Sequence, residues 1–194
     1  VARLVTANGA ELAPATDRTP LFLLKATRVD DFTKSVEVGA SDAAACRVET
    51  VADGGVRLVY GGFRKEGVRT VVCTVRGVGA SVRWGISVKM ADGWALEETT
   101  YPRLLVAPVL GSDAGDDRFV YGTAKGGVTY NPGAKGVGWR AYAKQPGALA
   151  AQFATVYDDR AGLYFAAEDG AGHCKLLGGE RIQAGFLVTS RRIG

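Results

Sequence analysis

The chain has 194 residues, 47% hydrophobic and 23% charged, with a net charge of +4 and a sequence pI near 9.0. A chain of this length buries enough surface to fold without disulfides. Its Lys and Arg alternate with Asp and Glu and form no basic run, so the pattern of a nucleic-acid binder is missing.

No apolar stretch is long enough to cross a bilayer, and no signal-peptide pattern opens the chain. Both cytoplasmic and secreted residence fit. The first residue is Val, without Met, as in a chain cut from a larger protein. Three scattered cysteines, Cys46, Cys73 and Cys174, form neither a disulfide framework nor a metal pair. They read as small buried apolar residues.

In chain order, LVTANGAEL carries Asn8-Gly9 between apolar runs, the strongest short hairpin signal. PLFLLKATRV, SVEVGA, CRVETV and GVRLVY follow as short strands. VRTVVCTV (68–75) is apolar on both sides. SVRWGISVKM (81–90) alternates Val82, Trp84, Ile86, Val88 and Met90 against polar neighbours, the period of a strand buried on one face. That pattern puts Trp84 in the core. Trp94 follows the Asp92-Gly93 turn signal.

Residues 111–138 hold GSDAGDDR, GTAKGG and NPGAKGVG, a loop-rich excursion broken only by FVY. Loops of this length in compact β proteins are often functional. Tyr130 lies within this excursion and Trp139 just past it. PGALAAQFATVYDD reads as a turn at Pro146-Gly147 and a strand from near Ala150, its aromatic and β-branched ending favouring strand over helix. Asp158 to Gly162 reads as a hairpin turn into GLYFAA. Asp169 to Gly172 reads as the turn of a further hairpin, and RIQAGFLVTS as a late strand. Many short strands with almost no helical periodicity predict an all-β, antiparallel sandwich. No repeat of about 20 to 50 residues suggests a propeller or solenoid.

Chemistry is sparse. His173 is the one histidine of the chain, and no GxSxG elbow accompanies it. Cys174, next to it, would point to the opposite face of a strand. Adjacent acids such as Glu97-Glu98 and Asp116-Asp117 also face opposite ways, so none is a glycosidase dyad. No metal ligand set, cofactor motif or catalytic set is predicted. Two groups of binding candidates remain. Glu168, Asp169, His173 and Lys175 flank the Gly170–Gly172 turn, as a polar hairpin tip, a domain contact or a small acid–base site. Trp94, Tyr130 and Trp139 sit at loop edges, where aromatic rings either stack on sugars or cap a core.

The block PGALAAQFATVYDDRAGLYFAAEDGAGHCK resembles bacterial glycoside-hydrolase-like proteins. Their N-terminal β-sandwich, of the galactose-mutarotase-like supersandwich type, precedes a catalytic (β/α)-barrel. The resemblance is carried by Pro146-Gly147, Gln152-Phe153, Tyr157-Asp158, Gly162-Leu163-Tyr164, Asp169, Gly172 and Lys175. The stretch WALEETTYPRL, ending in Tyr101-Pro102-Arg103-Leu104, adds to it. It implies a single β-sandwich domain over 1–194, a piece of a multidomain carbohydrate-active enzyme. Such a domain would be non-catalytic, would support a C-terminal barrel, and would contribute to carbohydrate binding. A mutarotase of this fold needs two histidines and a carboxylate, and only His173 is present. A free-standing carbohydrate-binding module and a small sugar-processing enzyme using Glu168, Asp169, His173 and Lys175 are the alternative expectations.

Overall fold

The computed structural model describes residues 4–5, 11–13, 19–79, 81–107, 109–168 and 173–193. Its strands are β1 (Leu4–Val5), β2 (Glu11–Ala13), β3 (Leu23–Arg28), β4 (Ser35–Gly39), β5 (Ala43–Thr50), β6 (Val56–Phe63), β7 (Val68–Val78) and β8 (Ser81–Met90). They continue with β9 (Trp94–Val106), β10 (Arg118–Thr123), β11 (Gly127–Tyr130), β12 (Arg140–Gln145), β13 (Leu149–Tyr157), β14 (Gly162–Ala166), β15 (Lys175–Ile182) and β16 (Gly185–Ile193). Among the described residues, the helical elements are two 3-10 turns, Ala40–Asp42 and Pro132–Ala134. No helix there is long and apolar enough to cross a membrane. The protein is an all-β antiparallel sandwich, as its alternation predicts.

The chain divides into two compact units, Val1–Leu21 with Arg103–Gly194, and Phe22–Pro102. The second unit contains the meander β5-β6-β7-β8 and strand β3, which pairs with both β4 and β9. Leu24, Ala26, Val71 and Cys73 are fully buried in it. Phe22 meets the half-buried Tyr60 ring edge-on at 5.1 Å, and Trp84, half-buried rather than fully in the core, meets Tyr101 at 6.3 Å. Burial raises the Tyr101 hydroxyl and pushes the Cys73 thiol up to about 12. Cys174 is half-buried, and Cys73 fits the expectation of a buried cysteine. Cys46 does not: it is exposed on β5, an edge of the meander.

In the first unit β1 pairs with β2, so the Asn8-Gly9 signal does join two strands, although the turn itself lies outside the described residues. Two larger sheets enclose the core. One has the order β11-β10-β13-β14, and the other contains β12-β15-β16. Phe119, Ala154 and Val156 point inward from the first, and Ala141, Phe186 and Val188 from the second. Phe119 and Phe186 meet at 5.1 Å in a T-shaped contact at the centre.

Two expectations change here. The excursion over 111–138 contains a regular hairpin, β10-β11, paired from Arg118↔Tyr130 to Tyr121↔Gly127. Its Gly-rich turn and acidic approach hid it. GLYFAAEDGAGHCK is not a hairpin: β14 forms the edge of one sheet, whereas β15 lies between β12 and β16 in the other. The Asp169–Gly172 turn lies outside the described residues.

Gly178 on β15 passes against β12, where an added Cβ would stand 2.0 Å from the Ala141 carbonyl oxygen and 2.9 Å from the Tyr142 ring. Gly178→Ala is therefore expected to destabilise the fold by about 3 kcal/mol, read as a lowered denaturant midpoint. A thiol reagent is expected to modify Cys46 in the folded protein and Cys73 only after unfolding. Equal rates for both would contradict this burial.

Candidate ligand-binding face

The outer side of the sheet β11-β10-β13-β14 follows from its inner side. Side chains alternate across a strand, so burying Phe119, Ala154 and Val156 turns Arg118, Val120, Phe153, Thr155 and Tyr157 outward. Register aligns them across the sheet. Arg118 sits between Tyr130 on β11 and Tyr157 on β13. One row along, Val120 sits between Val128 and Thr155, and Thr155 faces Tyr164 on β14. Tyr130 is 61% exposed, Tyr164 65%, Val128 53% and Tyr157 39%. Four large side chains this open on one sheet face are unusual for a surface with no partner.

Two of the rings are held in place. The Arg118 guanidinium lies 4.6 Å from the centroid of Tyr130, and its Nη1 donates to the carbonyls of Gly115 (3.0 Å) and Asp117 (3.1 Å). Tyr164 stacks on Phe153 at 5.6 Å with a 23° tilt. At the end of β11, Asn131 takes the left-handed conformation (φ 50°), which Asn tolerates, and its N–H donates to the Asp117 carbonyl.

Acids anchor this end of the sheet. Because Arg118 pairs with Tyr157, the next residues outward, Asp117 and Asp158, come together with Asp116. Their carboxylate oxygens lie within 4.8 Å of one another. Asp158 Oδ1 accepts the Arg160 and Ala161 amides and closes the β13–β14 turn, which is the predicted hairpin turn. Asp117 accepts the Leu110 amide. Gly111 (φ +69°) passes so near that an added Cβ would stand 2.8 Å from Asp158 Oδ2. Oxygen ligands of this type suit a hard cation, but Asp117 and Asp158 already serve as backbone anchors. Burial raises the Asp117 carboxyl to about 6, and the neighbouring Asp116 and Asp158 charges add to the rise.

The predicted binding residues that the structure describes sit in different surroundings. Tyr130 lies on the open aromatic face. Trp139 packs against the core, 6.2 Å from Phe186. Trp94 belongs to the second unit, where the Arg28 guanidinium lies 5.8 Å from its ring and Gly67 backs it. Lys175 is 2% exposed, and its Nζ donates to Gln152 Oε1 at 2.9 Å. Glu168 is exposed, His173 is half-buried, and Asp169 lies outside the described residues. Tyr157 and Tyr164 are not singled out by the sequence. The signal is their phase: each is one residue out of step with the buried apolar residues of its own strand.

The pH dependence of stability follows from Asp117. Its folded pKa lies above the ordinary carboxylate value, so the folded state holds this proton more tightly than the unfolded chain. The associated stability is present at low pH and is lost as pH rises from about 4 through 6. Asp117→Asn keeps an acceptor for the Leu110 amide and cannot ionise. Melting in a chelator is expected to give similar Tm values for variant and wild type near pH 4, with the variant higher above pH 6.5. A gap that is constant, or that narrows with rising pH, would contradict this account.

Compared with known proteins, the chain matches no family model, and no curated protein matches it.

Proposed function

We propose that this chain is a non-catalytic, galactose-mutarotase-like β-sandwich domain of a carbohydrate-active enzyme. In this reading it supports a C-terminal catalytic (β/α)-barrel and holds glycan on the outer face of β11-β10-β13-β14. The observation that carries the reading is that face, with Tyr130, Tyr157 and Tyr164 exposed on one side of a single sheet. A sugar ring has an apolar C–H side and a polar rim. Tyrosine rings offer the matching apolar plane, with a hydroxyl at the edge. Thr155 and Arg118 add hydrogen-bonding groups between the rings.

A non-catalytic role agrees with the placement of the polar cluster. Lys175 is buried and bonded to Gln152, and His173 is the chain's one histidine. The aromatic face is complete within this chain, which also suits the second reading, a free-standing carbohydrate-binding module.

The isolated chain is expected to bind glycan on an array of immobilised polysaccharides. Tyr130→Ala and Tyr164→Ala are each expected to weaken that binding about tenfold, the worth of one stacked ring, with little change in Tm because both side chains are exposed. Flat signals across the array, or wild-type binding by both variants, would overturn the reading.

A further inference from the structure

We propose that the ligand of this face is an extended, uncharged oligosaccharide. It lies across the strands from Tyr130 to Tyr164, with Arg118 donating to its hydroxyl oxygens. The inference rests on the glycan reading above and adds the length, direction and charge of the ligand.

Length and direction follow from the order of the strands. Tyr130 is on β11 and Tyr164 on β14, the two edges of the sheet. Three strand spacings separate them, about 14 Å, more than one sugar ring covers. Tyr157 on β13 stands between them, in register with Arg118. Contacts at both edges therefore need a chain of rings crossing the strands on a diagonal, because Tyr164 lies two residues along from the row of Tyr130 and Tyr157.

The anchored rings favour such a ligand. Tyr130 is held by Arg118 and Tyr164 by Phe153, so little side-chain freedom is lost when a chain settles on them.

Charge follows from the residues around Arg118. Its Nη1 is engaged by two backbone carbonyls, and its Nε and Nη2 have no hydrogen-bond partner among the described residues. No carboxylate there pairs with it. Yet the segments that carry this end of the sheet, 113–118 and 157–162, hold five Asp (113, 116, 117, 158, 159) against two Arg (118, 160). A uronate or sulfate arriving at Arg118 would meet that surplus of negative charge. A hydroxyl oxygen accepts from the same N–H groups without the repulsion.

The test is calorimetric titration of the full chain with cello-, manno- and galacto-oligosaccharides, from monosaccharide to hexasaccharide, and with galacturonic-acid oligomers of matching length. At least one neutral series is expected to bind, with affinity rising about tenfold or more from monosaccharide to tetrasaccharide, and the acidic oligomers to bind more weakly. Arg118→Gln is expected to weaken binding of the neutral oligomer about tenfold. Tyr164→Ala is expected to remove the gain from length, and Tyr164→Phe, which keeps the ring stack, to retain it. Acidic oligomers binding as tightly as neutral ones, or a monosaccharide binding as tightly as a hexasaccharide, would overturn this inference and leave the glycan reading standing. Failure of every series to bind would overturn both.

Discussion

The packing of Phe119 against Phe186 is the constraint on which the first unit depends. Phe119 has no exposed surface, and it stands on β10 between β11 and β13. A slip of one residue on β10 would carry it to solvent and bring Arg118 into the core, at a cost far above the few kcal/mol that separate folded from unfolded chains. Register is therefore set from inside. With Phe119 inward, Arg118 must point outward, and its cross-strand partners Tyr130 and Tyr157 must lie beside it. The aromatic face is the geometric complement of the core.

Strand periodicity makes much of this legible in the amino-acid sequence. Ser81–Met90 alternates without interruption, and β8 has the same bounds. Leu149–Tyr157 ends in β-branched and aromatic residues, and Asp158 makes the turn that its position implies. Long-range pairing is not legible there. GLYFAA and the strand beginning at Lys175 are neighbours in sequence yet lie in different sheets, because local pattern carries no information about which edge a strand joins. The β10–β11 hairpin is hidden by composition: Gly126-Gly127 makes its turn, and Asp116-Asp117 leads into it, so the region reads as loop.

The site is legible only in part, for a related reason. A tryptophan in a Gly-rich stretch looks like a sugar platform, but Trp139 packs toward Phe186. A tyrosine inside an apolar strand looks like core, but Tyr164 is 65% exposed. Which face of a strand is buried depends on what lies across from it. The alternation in GLYFA becomes interpretable once Leu163 and Phe165 are seen packed against the core cluster. Cys46 makes the same point in the second unit, where an edge position leaves a small apolar side chain open.

The acids beneath the face complete the logic. Three carboxylates with oxygens within 4.8 Å repel one another, and the raised Asp117 carboxyl is the mark of burial first and of that repulsion second. The fold tolerates the arrangement because each anchor satisfies backbone groups that would otherwise lack partners at a sheet end. Asp158 closes the turn that delivers Tyr157 and Gly162 in register, and Asp117 ties down Leu110. The Asp117 carbonyl meanwhile receives both the Asn131 amide, next to Tyr130, and the Arg118 guanidinium. The residues that hold the aromatic row straight are thus the ones that make its surroundings acidic. Position and local charge have one origin, so a substitution that relaxes the repulsion by removing an anchor also loosens the row it supports.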